Sequence, residues 1–106
     1  MPLNKRLTSL SPQPSLASAG TAQQIISTAL ESRTVIIYAA KTNTGAVYLG
    51  DSNANAKAGT GINLAAGEAY AIEGALINGT HDMIDLSSIY FDGANSNDKL
   101  VVHYLP

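Results

Sequence analysis

The stretch Asp85–Pro106, DLSSIYFDGANSNDKLVVHYLP, decides the fold class of this chain. It contains two short runs in which side chains alternate with a period of two, joined by a turn rich in Gly and Asn. The second run places three residues on each face, Leu100, Val102 and Tyr104 opposite Val101, His103 and Leu105. Such alternation, bounded by turn formers, is typical of β-strands. Apolar residues on both faces favour burial between layers, so the stretch predicts a compact β-sandwich.

Shorter runs of the same kind precede this stretch. Arg33–Ala40, RTVIIYAA, is β-branched and apolar on both faces, and we expect it to be a central strand. The turn formers Thr42–Gly45 predict a hairpin that returns through 46–49. Further strands are expected over 62–64, 68–73 and 86–91, and Asn78-Gly79 is expected to be a turn. In the second of these, EAYAIE, we expect Tyr70 and Ile72 to lie on the same face. The pattern predicts an all-β fold of seven or eight short strands, a sandwich or a barrel, whose core contains Val35, Ile37, Val47, Leu86, Ile89, Leu100 and Val102.

The chain has 106 residues, which is the length of one domain. Residues 1–20 are rich in Ser and Pro, and we expect them to form an extended N-terminal arm, with the sandwich over 21–106. Residues 21–32 are ambiguous. Thr21 and Gln24 fit a helical capping box, followed by a helical stripe of Ile25, Ile26, Ala29 and Leu30. A strand alternation fits equally, through Ala22, Gln24, Ile26, Thr28 and Leu30, and the strand is favoured because the rest of the chain is predicted to be sheet.

Charge is scarce and unevenly distributed. Only 13% of residues are charged, against about 25% in typical soluble domains. Residues 1–30 carry Lys5 and Arg6 and no acid, whereas the remainder carries four bases and eight acids. The N-terminal arm is basic and contains several leucines, whereas the rest of the chain is acidic. This pattern predicts that the arm contacts neighbouring subunits through Leu3, Lys5, Arg6, Leu7, Leu10 and Leu16. Two bases are too few for nucleic acid, and no apolar run is long enough to span a membrane or to form a secretion signal core.

Residues that could carry out chemistry are few. The absence of Cys excludes disulfides, thiol catalysis and Cys-based zinc sites. His81 and Asp82, with Asp85, could form a metal or general-base group, but no spaced set of ligands accompanies them, and we interpret His81 as part of a surface loop. His103 lies inside the last strand and is expected to pack or to meet a partner. The Gly50–Gly61 loop lacks the acidic density of a calcium site. We therefore predict no enzyme activity, no cofactor and no metal.

Three segments together resemble a group of small virion proteins of tailed bacteriophages. They are TVIIYAAKTNTGAVYLGDSN, GINLAAGEAYAI and DLSSIYFDGANSNDKLVVHY, and the likeness covers about residues 21–106. The shared positions are turn and core residues, namely Asn43, Thr44, Gly45, Val47, Tyr48, Gly50, Asp51, Ser52, Gly61, Leu64, Gly67, Glu68, Asp85, Leu86, Ser87, Ile89 and Tyr90.

The resemblance implies a structural role. Proteins of this group are β-sandwiches, some of jelly-roll type, that decorate or cement an icosahedral capsid, often as trimers, and the likeness carries no active-site residue. The resemblance therefore implies a single antiparallel β-sandwich that is jelly-roll-like. It implies a capsid decoration protein on the surface of the virion, made in a bacterial cytoplasm, with the major capsid protein and its own copies as partners. A tail, fibre or head-surface module that recognises a host glycan or protein is the alternative. The loop at 74–84 is longer than the group's usual spacing, which leaves room for a particle-specific contact.

Overall fold

The structure, a computed structural model, describes residues 7–74 and 76–106. This part of the chain is nearly all-β, with one short 3₁₀ turn at Leu86–Ser88. The strands, in chain order, are Thr8–Ser9 (β1), Gln23–Gln24 (β2), Glu31–Ser32 (β3), Thr34–Ala39 (β4), Val47–Gly50 (β5), Ile62–Leu64 (β6), Ala69–Glu73 (β7), Leu76–Ile77 (β8), Thr80–His81 (β9), Ile84–Asp85 (β10), Tyr90–Gly93 (β11) and Leu100–Leu105 (β12).

Two four-stranded antiparallel sheets make up most of the structure. The first has the strand order β1-β12-β4-β7, and the second has the order β2-β11-β5-β6. Two smaller pairs, β3 with β10 and β8 with β9, connect the remaining segments. The long strands β4 and β12 lie at the centre of the first sheet, as their apolar sequences predict.

One hydrophobic cluster joins the two four-stranded sheets, because it contains inward-facing residues of both. Alternate residues of β4 are buried, and in β12 Leu100 and Val102 are buried while Tyr104 on the same face is partly buried. The intervening residues are partly exposed, so each strand buries one face, whereas the sequence suggested that both faces are buried. The seven predicted core residues are all buried, with exposures between 0% and 8%: Val35, Ile37, Val47, Leu86, Ile89, Leu100 and Val102.

Two predicted elements differ from the structure. The turn at residues 42–45 does not close a hairpin, because β4 and β5 lie in different sheets and the turn carries the chain from one sheet to the other. The strand expected over 86–91 begins only at Tyr90. Before it, the Asp85 side chain accepts a hydrogen bond from the Ser87 N–H and caps the 3₁₀ turn, so this local bond replaces strand pairing.

Residues 21–32 contain no helix. The strand that we favoured is present only as the two-residue strands β2 and β3, and the residues between them are irregular. In the 74–84 segment, β8 and β9 pair around the predicted Asn78-Gly79 turn, where both residues have positive φ values of 51° and 79°. Such values are those of the tight hairpin turn that Asn-Gly favours.

Much of the predicted N-terminal arm belongs to the fold of this chain. β1 pairs with β12, and the Leu10 N–H donates to the Val102 carbonyl at 3.0 Å. The Gln13 side chain continues this pairing, because its oxygen accepts from the Val102 N–H at 2.8 Å. Leu10 and Leu16 lie in the core, at 6% and 0% exposure. The prediction that these two leucines contact a neighbouring subunit is therefore corrected, since their apolar surface is already covered within this chain.

Candidate functional site

An apolar cleft lies beside β6 and β7, the edge strands of the two four-stranded sheets. Its volume is about 310 Å³. Ile62 on β6 and Tyr70 on β7 contribute the exposed apolar surface, since each is 39% exposed. The cleft is lined by Leu49, Gly50, Asp51, Ile62, Tyr70, Ile72, Ile84, Ser88 and Ile89. Asp51 is the one charged residue among these lining residues, so the surface favours an apolar occupant.

The sequence of β7 explains the side of the cleft that it forms. Strand alternation puts Tyr70 and Ile72 on the same face, as predicted from the EAYAIE run, and both line the cleft. Within residues 7–74 and 76–106, no strand pairs with the outer edge of β7 or of β6. Unpaired edge backbone beside an apolar cleft is a place where another extended chain can add.

Asp85 holds the turn that carries the lining residues Ser88 and Ile89. Its Oδ1 atom accepts hydrogen bonds from the Ser87 hydroxyl at 2.8 Å, the Ser87 N–H at 2.9 Å and the Leu30 N–H at 3.2 Å. The Ser87 hydroxyl, followed by the two backbone N–H groups, lowers the pKa of Asp85 below its ordinary value. The charged carboxylate therefore fixes the turn that presents Ser88 and Ile89 to the cleft.

Several residues of the phage-protein resemblance fix turns by hydrogen bonds. The Asn43 side chain forms two bonds with the backbone of Lys99, accepting from its N–H at 2.7 Å and donating to its carbonyl at 2.8 Å. Glu68 accepts from the Ala65 N–H at 2.7 Å, and Gly67 between them has a positive φ of 85°. Asn43 thus fixes the connection between β4 and β5, and Glu68 fixes the turn between β6 and β7.

The remaining resemblance positions serve packing and close approach. Leu86 and Ile89 are buried, and Tyr48 and Tyr90 are partly buried in paired strands. A Cβ at Gly50 would lie only 2.5 Å from the Ala56 backbone nitrogen, so this position requires glycine. Asp51 accepts from the Asn55 side chain at 2.7 Å and closes the loop that follows. The residues of the resemblance thus divide into turn, core and loop positions.

Two buried carboxylates were not predicted from the sequence. Asp98 is 5% exposed and accepts from the Thr44 N–H, the Thr44 hydroxyl and the Gly45 N–H, at 3.0, 3.2 and 3.0 Å. Asp92 is 7% exposed and accepts from the Gly20 and Gly93 N–H groups at 2.9 and 2.7 Å. Both acids lie next to turns rich in Gly and Asn. Such turns often contain an acid that accepts hydrogen bonds from backbone N–H groups, and this was the signal in the sequence that could have identified them.

The histidines are not brought together with a set of acids. His103 Nδ1 lies 3.0 Å from the Ser9 hydroxyl, and its ring stacks on Tyr38 with a centroid distance of 6.3 Å. This is the packing role that we expected of His103. Asp82 is exposed, and the backbone of His81 belongs to β9. Across the described residues, no group of three or more His, Asp or Glu side chains could hold a metal ion.

The predicted interface residues at the N-terminus now separate into three groups. Leu10 and Leu16 are core residues, as described above, whereas Leu7 is 53% exposed and is available for contacts. Leu3, Lys5 and Arg6 lie outside the described residues. Leu7 is thus the described member of the set that lies on the surface.

No protein-family model, curated protein or solved structure matches this chain. In the part of the chain that the structure describes, no helix is long and apolar enough to cross a membrane. The features from which a function can be inferred are therefore the cleft, the free sheet edges and the turns.

Proposed function

We propose that this chain is a structural virion protein of a tailed bacteriophage, a capsid decoration or cement protein. In this role it binds the outer surface of the major capsid protein shell and stabilises it, as a homotrimer. Its fold in this proposal is a β-sandwich of jelly-roll type, and it works through its surfaces without a cofactor or a catalytic group.

The observation that carries the proposal is the way the resemblance positions are used. Asn43, Glu68 and Asp85 each hold a turn through side-chain bonds to backbone, and Gly67 and Gly50 occupy positions with a positive φ or a close approach. A likeness confined to turn and close-approach positions concerns the fold and not a catalytic site. A decoration protein needs such a rigid fold, because it acts through the surfaces that the fold presents.

The sheet arrangement and the surface also support the proposal. Two four-stranded antiparallel sheets share one hydrophobic cluster, which is the arrangement expected of a sandwich. The exposed apolar residues Ile62, Tyr70 and Met83, at 39%, 39% and 45% exposure, suit a protein that neighbours cover. Lasting interfaces of this kind are relatively apolar and bury on the order of 2,000 Å² or more.

Binding to capsids tests the proposal directly. Purified protein is mixed with expanded capsids that lack it, the capsids are pelleted, and the bound protein is counted per particle. We expect saturation at hundreds of copies, together with greater resistance of the capsids to heat. Saturation at a dozen copies or fewer, or no binding, would contradict the decoration role. Light scattering of the free protein tests the homotrimer separately.

A tail, fibre or head-surface binding module is the second candidate, and the cleft is the observation that favours it. A volume of about 310 Å³ is at the lower end of small-ligand sites, and an exposed tyrosine beside Ser88 and Asp51 could receive a sugar ring. A glycan array with wild-type protein and Tyr70→Ala separates the two candidates. Glycan binding that Tyr70→Ala abolishes, with a low copy number per virion, would favour the binding module.

A further inference from the structure

We propose that residues 1–6 of one copy, MPLNKR, occupy the cleft of a second copy. Leu3 enters the apolar cleft between β6 and β7, and Lys5 and Arg6 lie against the acidic residues around it. The proposal rests on the homotrimer part of the proposed function and not on the capsid, and it names the contact through which the copies associate.

The cleft has the chemistry of an acceptor for an extended apolar segment. Leu49, Ile72 and Ile89 form an apolar lining, and Ile62 and Tyr70 at its opening are each 39% exposed. The outer edge of β7 has no strand partner among the described residues, so its backbone N–H and C=O groups can pair with an added chain. A leucine beside free edge backbone would bury its side chain and satisfy these groups together.

The charges on the two sides are complementary. Five acids lie in or near the cleft and β7: Asp51, Glu68, Glu73 and Asp82 are exposed, and Asp85 is partly buried. Three bases lie nearby: Lys41 beside Gly67, Arg33, whose carbonyl accepts from the Gly74 N–H, and Lys57, whose carbonyl accepts from the Gly61 N–H next to Ile62. Five acids and three bases leave a net charge of −2, and residues 1–6 contribute Lys5 and Arg6 with no acid, a net charge of +2. Opposite charges of this kind fix the orientation of a docked segment.

Chain length decides between the cleft of the same copy and that of a neighbour. Thr8 pairs with Tyr104, Tyr104 with Val35 and Val35 with Ile72, so one row of the first sheet joins Thr8 to the cleft residue Ile72. Three strand spacings make this row about 14 Å long. Leu3, five residues before Thr8, reaches at most about 17 Å when fully extended. The chain would have to turn away from β1, follow this row across the sheet and then turn around β7 into the cleft. The few ångströms of reach left beyond the roughly 14 Å row are too short for the two turns.

Each copy would give its N-terminal segment at one edge of the first sheet and receive a segment at the other edge, which agrees with a closed ring of copies. β1 is one edge of the first sheet and β7 is the other, so residues 1–6 join the described chain near the edge opposite the cleft. A contact between different surfaces of identical copies is heterologous, and it forms a ring when the rotation between copies closes. Three such contacts give a trimer in which each copy donates one segment and accepts one.

Cysteine cross-linking tests the proposal cleanly, because the natural chain has no cysteine. Leu3→Cys protein is mixed with size-tagged Ile62→Cys protein and oxidised, so that a cross-link between copies has a distinct size. Asp51→Cys, also at the cleft, is a second acceptor in case Ile62→Cys folds poorly. Ala94→Cys is the matched control, since Ala94 is exposed and follows Gly93, at the end of β11 away from the cleft.

We expect the mixed cross-link of Leu3→Cys to form at least ten-fold faster with Ile62→Cys or Asp51→Cys than with Ala94→Cys. Adding Lys5→Glu and Arg6→Glu to the Leu3→Cys chain should slow it several-fold, and so should high salt. Equal rates at cleft and control positions would overturn the proposal. So would preferential linkage of two Ile62→Cys copies, or an intrachain link in a dilute Leu3→Cys/Ile62→Cys chain. A trimer by light scattering with no cleft cross-link would leave the homotrimer standing and remove the segment from the cleft.

Discussion

Replacing Leu16 by Ala tests whether residues 8–16 are part of the fold. Leu16 is 0% exposed, and its Cδ2 lies 3.3 Å from the position of a Cβ added to Gly93 on β11. Its N–H also donates to the Asp98 carbonyl at 2.9 Å, which ties the segment to the turn before β12. A buried leucine truncated to alanine loses transfer energy and leaves a cavity, at a cost of about 2–5 kcal/mol. For a domain of this size, we expect the melting temperature to fall by roughly 8 °C or more.

Leu7→Ala is the matched control, since it is the same substitution nine positions earlier at a side chain that is 53% exposed. Its expected effect is within about 0.5 kcal/mol, because more than half of its surface stays in water and its truncation leaves no cavity in the core. Urea unfolding of both variants, followed by circular dichroism, gives the two free energies of unfolding. If both variants were as stable as the natural protein, Leu16 would not be a core residue, and residues 8–16 would be a detachable arm. An equal, large loss in both would point instead to a role for the exposed leucine that the fold does not explain.

Three further predictions test the core, a turn and a charge. Ile37→Asp puts an unpaired charge in the core and should prevent soluble folding, whereas Ile36→Asp on the half-buried face should cost less, as expression and circular dichroism will show. Asp98→Ala removes three hydrogen bonds and should lower the free energy of unfolding by about 3 kcal/mol or more, against about 1 for Thr44→Val, measured in urea. Because the folded-state pKa of Asp85 is lowered, its stabilisation is present above the unfolded pKa and is lost as pH falls through the folded pKa; melting curves from pH 6 to pH 2 should show a smaller decline for Asp85→Asn.

The core could be predicted from the sequence because strand alternation is a local signal with a fixed period. Val35, Ile37 and Val102 lie on the buried face of long strands, and periodicity alone identifies such residues. Leu86 was predicted as buried for the wrong reason, since it belongs to a 3₁₀ turn and not to a strand. Burial survived the error because an apolar residue next to a capped turn still packs inward.

Connections between strands could not be predicted in the same way. The turn at 42–45 has the sequence of a hairpin, yet it joins different sheets because Asn43 and Thr44 bond to residues 98 and 99. Those partners are more than fifty residues away, and no local pattern identifies them. The same reason hid the burial of Leu10 and Leu16. Pro12 and Pro14 correctly predicted that no helix forms there, but the partner strand β12 lies at the other end of the sequence.

The cleft depends both on local strand alternation and on contacts between segments far apart in sequence. The facing of Tyr70 and Ile72 is local, and the sequence predicted it, but the cleft exists only because β6 and β7 are edges of different sheets that lie side by side. Deeply buried polar groups show the same dependence. The burial of Asp92 and Asp98 was not predicted, because it depends on N–H groups more than fifty residues away that donate to them.

The two edges of the first sheet differ in how they are protected against pairing. At the β1 edge, Pro12 and Pro14 follow the strand, and proline cannot donate to a ladder. β7 carries no proline and exposes Ala69, Tyr70 and Ala71 along its length, with Glu73 the one charged residue in the strand. Exposed apolar edges favour pairing with another chain, and natural proteins usually block them. Within the described residues this edge is unpaired and lies beside an apolar cleft, so it is the surface that the proposed contact between copies would cover.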